Sequence, residues 1–126
     1  MEPVNALLDA FLEEIVLHVW ENNKASKGSI AIYGAGTHTQ IILAIVRKLG
    51  FDLPGVIFDM KPEEALISDV KVECINNLSN YKLKKLLISN DRKHYEIYSD
   101  LLNNKSLKDI EIIDPYLYLP HAPFRK

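Results

Sequence analysis

Two glycines separated by one residue, Gly34 and Gly36, have the clearest chemical potential in this sequence. In a nucleotide-binding β-α-β unit, the first glycine makes a tight turn and the second lets the backbone approach a pyrophosphate. Backbone N–H groups at the start of the following helix, where the macrodipole is positive, then hold the phosphate. The pattern predicts a phosphate-binding turn made by Gly34, Ala35, Gly36, Thr37, His38 and Thr39. The alternative is an empty turn that only connects a strand to a helix.

An acidic residue, Asp59, follows Gly36 by 23 residues and ends an apolar run. This is close to the place where an acidic residue binds the ribose hydroxyls of an adenosine. The competing role for Asp59 is to cap the turn before Pro62. The third glycine of the dinucleotide fingerprint, which permits close packing of helix on strand, is replaced by Thr39, so the match is incomplete.

Three more polar residues, Ser89, Asn90 and Asp91, follow a later apolar run. Because the carboxyl ends of parallel strands share one edge of a sheet, these residues are expected to line the same cleft as the glycines. Asp91 alone is more typical of a helix N-cap. His38, at the start of a helix, either donates to a bound anion or acts as an acid, or is an exposed histidine without a role.

Catalytic and metal-binding groups are otherwise sparse. The four histidines show no close pairing with each other or with Cys74 of the kind a zinc site needs. The serines lack the strand-turn-helix elbow of a hydrolase nucleophile, and the carboxylates show no paired arrangement. We therefore expect no metal, and the balance is against an enzyme.

The elements that position the glycine turn follow from the apolar pattern. Residues 3 to 22 have helical spacing, with a proline in the first turn. The apolar run from Ile30 to Tyr33 is typical of a parallel strand buried on both faces. The segment from Thr37 to Leu49 is helical and apolar almost all round. One face of this helix must cover the sheet, and the other is expected to meet the N-terminal helix or a partner chain.

Later segments alternate between the two patterns. Strands are predicted at 55–59, 70–75, 86–89 and 110–113, and a helix from about 92 to 103. This alternation predicts an α/β fold, a single Rossmann-like three-layer domain with a mostly parallel sheet of about five strands and an extra N-terminal helix. The expected boundaries are 1–28 for the N-terminal helix and loop, 29–115 for the nucleotide-binding domain and 116–126 for a proline-containing tail that is extended and not helical.

Composition narrows the function classes further. With 126 residues, 48% hydrophobic and 25% charged, the chain fits one globular domain. A net charge of -2 offers no excess of positive charge for a nucleic-acid backbone, so no nucleic acid is expected. A single cysteine excludes an internal disulfide and agrees with a reducing compartment. Acidic Glu2 stands where a signal peptide needs a basic start, and no apolar run is long enough to span a membrane. We expect a cytoplasmic protein without a membrane anchor.

The stretch from Ile30 to Asp59, with Gly34-Ala35-Gly36, resembles the NAD(P)-binding Rossmann superfamily. From Ile30 to about Leu102 the chain is similar to the compact Rossmann-like modules attached to sugar O-acyltransferases and sugar C-methyltransferases, through the runs at 56–59 and 87–90. The resemblance to the acyltransferase modules implies a nucleotide-sugar held at the glycine turn and after the second strand, which corresponds here to Gly34, Gly36 and Asp59.

The leading hypothesis is a small stand-alone Rossmann-like domain that binds a nucleotide, a nucleotide-sugar or a dinucleotide such as NAD(P) at the turn from Gly34 to Thr39. Its role would be accessory or non-catalytic, with a partner protein or as a homodimer. One alternative is a small NAD(P)- or nucleotide-sugar-dependent enzyme completed by dimerisation, with His38 or residues 89–91 supplying the chemistry. Another is a protein-interaction module with an empty site, suggested by the apolar helix and the aromatic tail.

Overall fold

A six-stranded sheet forms the centre of the computed structural model, which describes residues 3–21, 28–90, 92–104, 107 and 109–118. The strands are β1 (Ile30–Tyr33), β2 (Val56–Asp59), β3 (Leu66–Ile67), β4 (Val70–Cys74), β5 (Lys85–Ile88) and β6 (Glu111–Ile113), in the order β3-β4-β2-β1-β5-β6. All neighbouring pairs are parallel except β3 and β4. Without β3, this is the 3-2-1-4-5 strand order of a Rossmann sheet, which confirms the predicted α/β fold class.

Helices cover both faces of the sheet. They are α1 (Pro3–Glu21), α2 (Thr37–Lys48), α3 (His94–Leu102) and the short α4 (Pro115–Tyr118), with a 3-10 helix at Ile75–Asn80. Alternate residues of β1 enter different cores: Ile30 and Ile32 pack with α1 and α2, whereas Ala31 and Tyr33 pack on the side of α3. Since both faces are covered, the central strands are apolar along their whole length, as the sequence predicted.

The N-terminal helix α1 packs against α2. The apolar face of α2 that points away from the sheet is therefore covered by α1, one of the two coverings that the sequence suggested. Two polar contacts fix the end of α1. The indole Nε1 of Trp20 donates to the Asp52 carbonyl at 2.8 Å, and Lys85 Nζ donates to the Val19 carbonyl at 3.1 Å. Both partners lie near the amino ends of strands, so the opposite end of α1 is directed toward the carboxyl edge of the sheet, where Leu8 lines a cleft.

The sheet has one strand more than predicted. β3 pairs with β4 through a two-residue turn at Ser68 and Asp69, which have φ values of 48° and 70°. Positive φ at both central residues is the geometry that suits a tight hairpin. A two-residue strand has too few positions to show an alternating pattern, so β3 could not be predicted from the sequence.

The prediction that the tail from residue 116 onward is extended is wrong for residues 116 to 118. Residues 115 to 118 form the helical turn α4, and Tyr116 is fully buried. Proline is well suited to the first position of a helix, because the N–H it lacks has no helical partner there. The Tyr116 N–H also donates to the Asp114 carboxylate at 3.1 Å, as in an N-cap. The loop at 22–27 and the rest of the tail, 119–126, lie outside the described residues.

Candidate functional site

A cleft of about 840 Å³ opens at the carboxyl edge of the sheet, where β1 lies between β2 and β5. This is the switch point of the sheet, because the connection after β1 leads to β2 on one side and the connection after its neighbour β5 leads to β6 on the other. Open α/β sheets bind ligands at such a point. The volume lies within the range of small-molecule sites, roughly 300 to 1,000 Å³. Eight of the ten residues predicted for the site line the cleft: Gly34, Ala35, Gly36, Thr37, His38, Asp59, Ser89 and Asn90. Thr39 is fully buried beneath them, and Asp91 lies outside the described residues.

Gly34 makes the tight turn out of β1. Its φ is +128°, and its N–H donates to the Phe58 carbonyl of β2 at 2.8 Å. A Cβ at this position would lie 2.5 Å from the backbone oxygen of Ser89. Conformation and close approach therefore both require glycine, because any side chain would collide with the backbone at the end of β5.

Gly36 is glycine for neither of these reasons. It has a φ of -101°, which any residue adopts, and a Cβ built on it would meet nothing within 4 Å. Gly36 is the N-cap of α2 and, lacking a side chain, makes no side-chain hydrogen bond to the first turn. The space beside the helix start is thus open to a group from outside the chain, and the first N–H groups of α2 are left without this cap.

Thr39, which replaces the third glycine of the fingerprint, joins three parts of the site. Its Oγ1 lies 2.5 Å from the Gly34 carbonyl oxygen and 2.9 Å from Ser89 Oγ. A carbonyl oxygen can only accept, so the single hydrogen of the Thr39 hydroxyl is donated to Gly34. The Ser89 hydroxyl is therefore the donor in the second bond, to Thr39 Oγ1. The turn after β1 is therefore tied to the end of β5. Ser89 is 4% exposed and its hydroxyl already has a hydrogen-bond partner, which disfavours a role as a nucleophile.

Asp59 lies at the end of β2, as predicted, with its carboxylate in the wall of the cleft. Its Oδ1 accepts from the Lys61 N–H at 3.4 Å, so the turn-capping contact is also present. A bond of this length is weak. The carboxylate is thus only lightly committed to the turn, and its other oxygen is not part of that contact.

Asn90 caps the turn that leads into α3. Its Oδ1 accepts from the N–H groups of Arg92 and Lys93, both at 3.0 Å. The sequence favoured Asp91 for this role, but Asp91 lies outside the described residues. The contact positions two basic residues, Arg92 and Lys93, in the wall of the cleft next to the end of β5.

His38 is not the exposed, unattached histidine of one of the alternatives. It is half-buried, its Nδ1 lies 2.9 Å from the Tyr116 hydroxyl, and the two ring centroids are 5.9 Å apart. The contact connects the first turn of α2 to α4. It was not predictable, because the two residues are 78 positions apart and the tail was expected to be extended.

A buried pair that the sequence did not indicate lies behind this contact. His94 Nδ1 and Asp114 Oδ2 are 2.8 Å apart, and the two side chains are 2% and 0% exposed. The ring of Tyr116 lies 5.2 Å from that of His94 and thereby bridges the pair to His38. These groups join α3, α4 and α2 below the cleft, and neither His94 nor Asp114 lines it.

The charges in the cleft are mixed. Five carboxylates line it, from Asp59, Glu63, Glu64, Glu96 and Asp100, together with the basic side chains of Lys61, Arg92 and Lys93. Burial, aided by the negative charges of Asp59 and Asp100, raises the pKa of Tyr33. The Tyr33 hydroxyl at the end of β1 is therefore a protonated hydrogen-bond donor at neutral pH.

Within the described part of the chain, no three His, Cys, Asp or Glu side chains are arranged to hold a metal ion. Over the same residues, no helix combines the length and the apolar character that crossing a membrane requires.

No protein-family model matches this chain, and no curated protein matches it either. A solved structure described as the crystal structure of RSP in complex with beta-NADH aligns with 86% of this chain at 22% identity and a TM-score of 0.47. The alignment covers 65% of that protein's chain, so this chain spans less than two-thirds of its length. An identity this low transfers no function, and the fold described above follows from the strand order of this chain itself.

Proposed function

We propose that this protein binds a nucleotide through a phosphate held on the N–H groups at the start of α2, over the turn from Gly34 to Thr39. The ribose lies near Asp59, whose carboxylate accepts hydrogen bonds from its hydroxyls. Arg92 and Lys93 add positive charge to the same cleft. The ligand is a nucleotide, a nucleotide-sugar or a dinucleotide such as NAD(P), and the resemblance to the modules of sugar acyltransferases and methyltransferases is part of this proposal.

The contrast between the two glycines carries the proposal. The first is required by the fold of the chain itself, since a Cβ on Gly34 would meet the Ser89 backbone at 2.5 Å. The second is required by nothing within 4 Å. An absent side chain beside open N–H groups at a helix start is what an anion-binding turn needs. In an empty connecting turn, a serine, asparagine or aspartate would cap the helix better than glycine does.

The proposed role is accessory and not catalytic. The Ser89 hydroxyl bonds to Thr39 and His38 Nδ1 bonds to the Tyr116 hydroxyl, so both of these groups suggested for chemistry already have a partner within the chain. The enzyme completed by dimerisation and the interaction module with an empty site stay alternatives. We also propose that the protein acts in the cytoplasm, together with a partner protein or a second copy of itself.

A thermal-shift series with NAD, NADP, ATP and UDP-glucose tests the proposal. Ligand at 100 times its Kd stabilises the folded state by about 2.7 kcal/mol, which for a domain of this size raises the Tm by roughly 10 °C. We expect at least one ligand to produce a shift, and Gly36→Val to abolish it. The matched control is Ala44→Val on the exposed side of α2, away from the cleft, which should keep the shift.

No shift with any of these ligands favours the module with an empty site. A shift that survives in Gly36→Val overturns the proposed phosphate position, because the valine side chain would occupy the space where the phosphate is expected. The Tm of each variant without ligand separates a lost site from a lost fold.

A further inference from the structure

We propose that Tyr33 and Asp100 form a second subsite of the cleft, which binds the hydroxyl groups of a sugar carried by the nucleotide. This inference rests on the proposed function and names the class of ligand: a nucleotide bearing a sugar beyond its phosphate, in preference to the bare nucleotide.

The subsite lies on the side of the sheet that α3 covers. Tyr33 is the last residue of β1, directly before Gly34, and its side chain packs with the core on the α3 side. Three residues of α3, Glu96, Ile97 and Asp100, line the same cleft. Their spacing of one, three and four positions places them on one face of the helix. We call Tyr33 and these three residues of α3 the α3 wing. None of the four belongs to the phosphate turn.

The Tyr33 hydroxyl is a built-in donor without an acceptor. Tyr33 is 8% exposed, and the hydrogen bonds of the described residues include none from its hydroxyl. The hydroxyl is still reached from the cleft, because no side-chain nitrogen or oxygen among the described residues is both buried and unpartnered. Burial, and then the negative charges of Asp59 and Asp100, raise the pKa of the Tyr33 hydroxyl and so favour its protonated form. A ligand atom that accepts a hydrogen bond would satisfy it.

The mixture of groups in the α3 wing selects among ligand chemistries. A second phosphate would be repelled by the carboxylates of Glu96 and Asp100. An ammonium group would suit the carboxylates but has no lone pair to accept from the Tyr33 hydroxyl. A sugar hydroxyl does both, since it donates to a carboxylate and accepts from a phenol. Ile97 offers an apolar surface for the C–H groups of a sugar ring.

Binding measured by calorimetry with two pairs of probes tests the subsite: UDP against UDP-glucose, and ADP against ADP-ribose. The wild-type protein should bind the sugar-bearing member of at least one pair more tightly. In Tyr33→Phe and in Asp100→Asn, that preference should fall about three- to tenfold, the effect of one lost hydrogen bond. The affinity for the bare nucleotide should change less than about twofold, because its phosphate contacts are untouched.

The controls repeat the same chemical changes outside the cleft. Tyr98→Phe removes a half-buried phenol on another face of α3, and Asp109→Asn removes an exposed carboxylate. Both should keep the wild-type preference. The Tm of every variant is measured in parallel, so that an unfolded variant is not counted as a weak binder.

The outcomes separate the two proposals. Binding of none of the four probes and of none of the thermal-shift ligands, or binding unaffected by Gly36→Val, overturns the proposed function and this inference with it. Binding of NAD, NADP or ATP without binding of any of the four probes overturns the inference alone. Binding that depends on Gly36 but shows no preference for the sugar-bearing probe overturns the inference alone. So does a preference that is unchanged in Tyr33→Phe, or a loss of affinity that is equal for bare and sugar-bearing probes.

Discussion

Replacing either glycine of the turn by alanine adds the same atoms at positions two residues apart, with opposite expected effects on stability. At Gly34, an alanine must adopt a φ of +128°, and its Cβ lies 2.5 Å from the Ser89 carbonyl oxygen. The strained conformation costs about 1 to 3 kcal/mol. The overlap costs about 1 to 3 kcal/mol more, because backbone and not a flexible side chain must move. We expect Gly34→Ala to lower the free energy of unfolding by about 4 kcal/mol.

At Gly36 the same change should be almost neutral. The φ of -101° suits an alanine, and nothing lies within 4 Å of its Cβ. The reduced freedom of the unfolded chain favours the variant, whereas the lower preference of alanine for the N-cap position opposes it, so we expect a net change below about 1 kcal/mol. Since a domain of this kind has about 5 to 15 kcal/mol of stability in total, the difference between the two variants is readily measured.

Urea unfolding followed by tryptophan fluorescence provides the assay. Trp20 is the single tryptophan of the chain, is 4% exposed, and packs in the core between α1, α2 and the sheet. Its emission therefore reports the loss of that core. A decrease below about 1 kcal/mol for Gly34→Ala, or a decrease of equal size for both variants, would refute the roles assigned to the two glycines.

Three further predictions concern residues around the cleft. Thr39→Val keeps the shape of a fully buried side chain but leaves the Gly34 carbonyl and the Ser89 hydroxyl without their partner, so the free energy of unfolding in urea should fall by about 1 to 3 kcal/mol. Thr39→Ser should retain most of the stability, and equal losses in the two variants would contradict the role of the hydroxyl. Asp114→Asn removes the carboxylate that pairs with His94, so the free energy of unfolding should fall by about 2 kcal/mol or more. Adding His94→Gln should lower it little further, and strictly additive losses would argue against the pair. The pKa of Tyr33 is raised in the folded state, so the stability linked to its protonated hydroxyl is complete below pH 10, the ordinary pKa of tyrosine, and is lost as pH rises through the folded-state pKa. Tyr33→Phe should therefore lose less stability above pH 10 than the wild type, and identical stability curves at alkaline pH would contradict this.

The parts of the fold that depend on neighbouring residues could be predicted from the sequence. The run of apolar residues before Gly34 and the helical pattern after Gly36 place β1 and α2 within one residue of their observed bounds. Burial of a parallel strand on both faces makes it uniformly apolar, which is a local property. β3 was missed because a two-residue strand depends on pairing with β4 and on the turn between them.

The candidate site divides in the same way. The positions of Gly34, Gly36 and Asp59 at the carboxyl edge follow from the ends of the strands, and the structure brings them into one cleft. The bond between Thr39 and Ser89 joins residues 50 positions apart, so the sequence shows Thr39 only as a departure from the glycine pattern.

The tail shows the limit of a local argument. Prolines after residue 114 favoured an extended segment, but a proline at the first position of a helix is well tolerated, and burial of Tyr116 stabilises the turn. The pair of His94 and Asp114 and the contact of His38 with Tyr116 depend on that turn. No pattern in the sequence connects these residues, because the contacts exist only once α3, α4 and α2 have packed together.

The most direct test of phosphate binding at the start of α2 is a titration of the ¹⁵N-labelled protein with ADP, followed by ¹H–¹⁵N correlation spectra. We predict that the largest shifts occur at the amides of Gly36 to Thr39, moving downfield as their N–H groups donate to phosphate oxygens, and that adenosine, which lacks the phosphates, leaves them nearly unchanged. Shifts that instead cluster at the groove lined by Leu102, Leu107 and Ile112 between α3 and β6, or equal shifts with adenosine, would contradict the account.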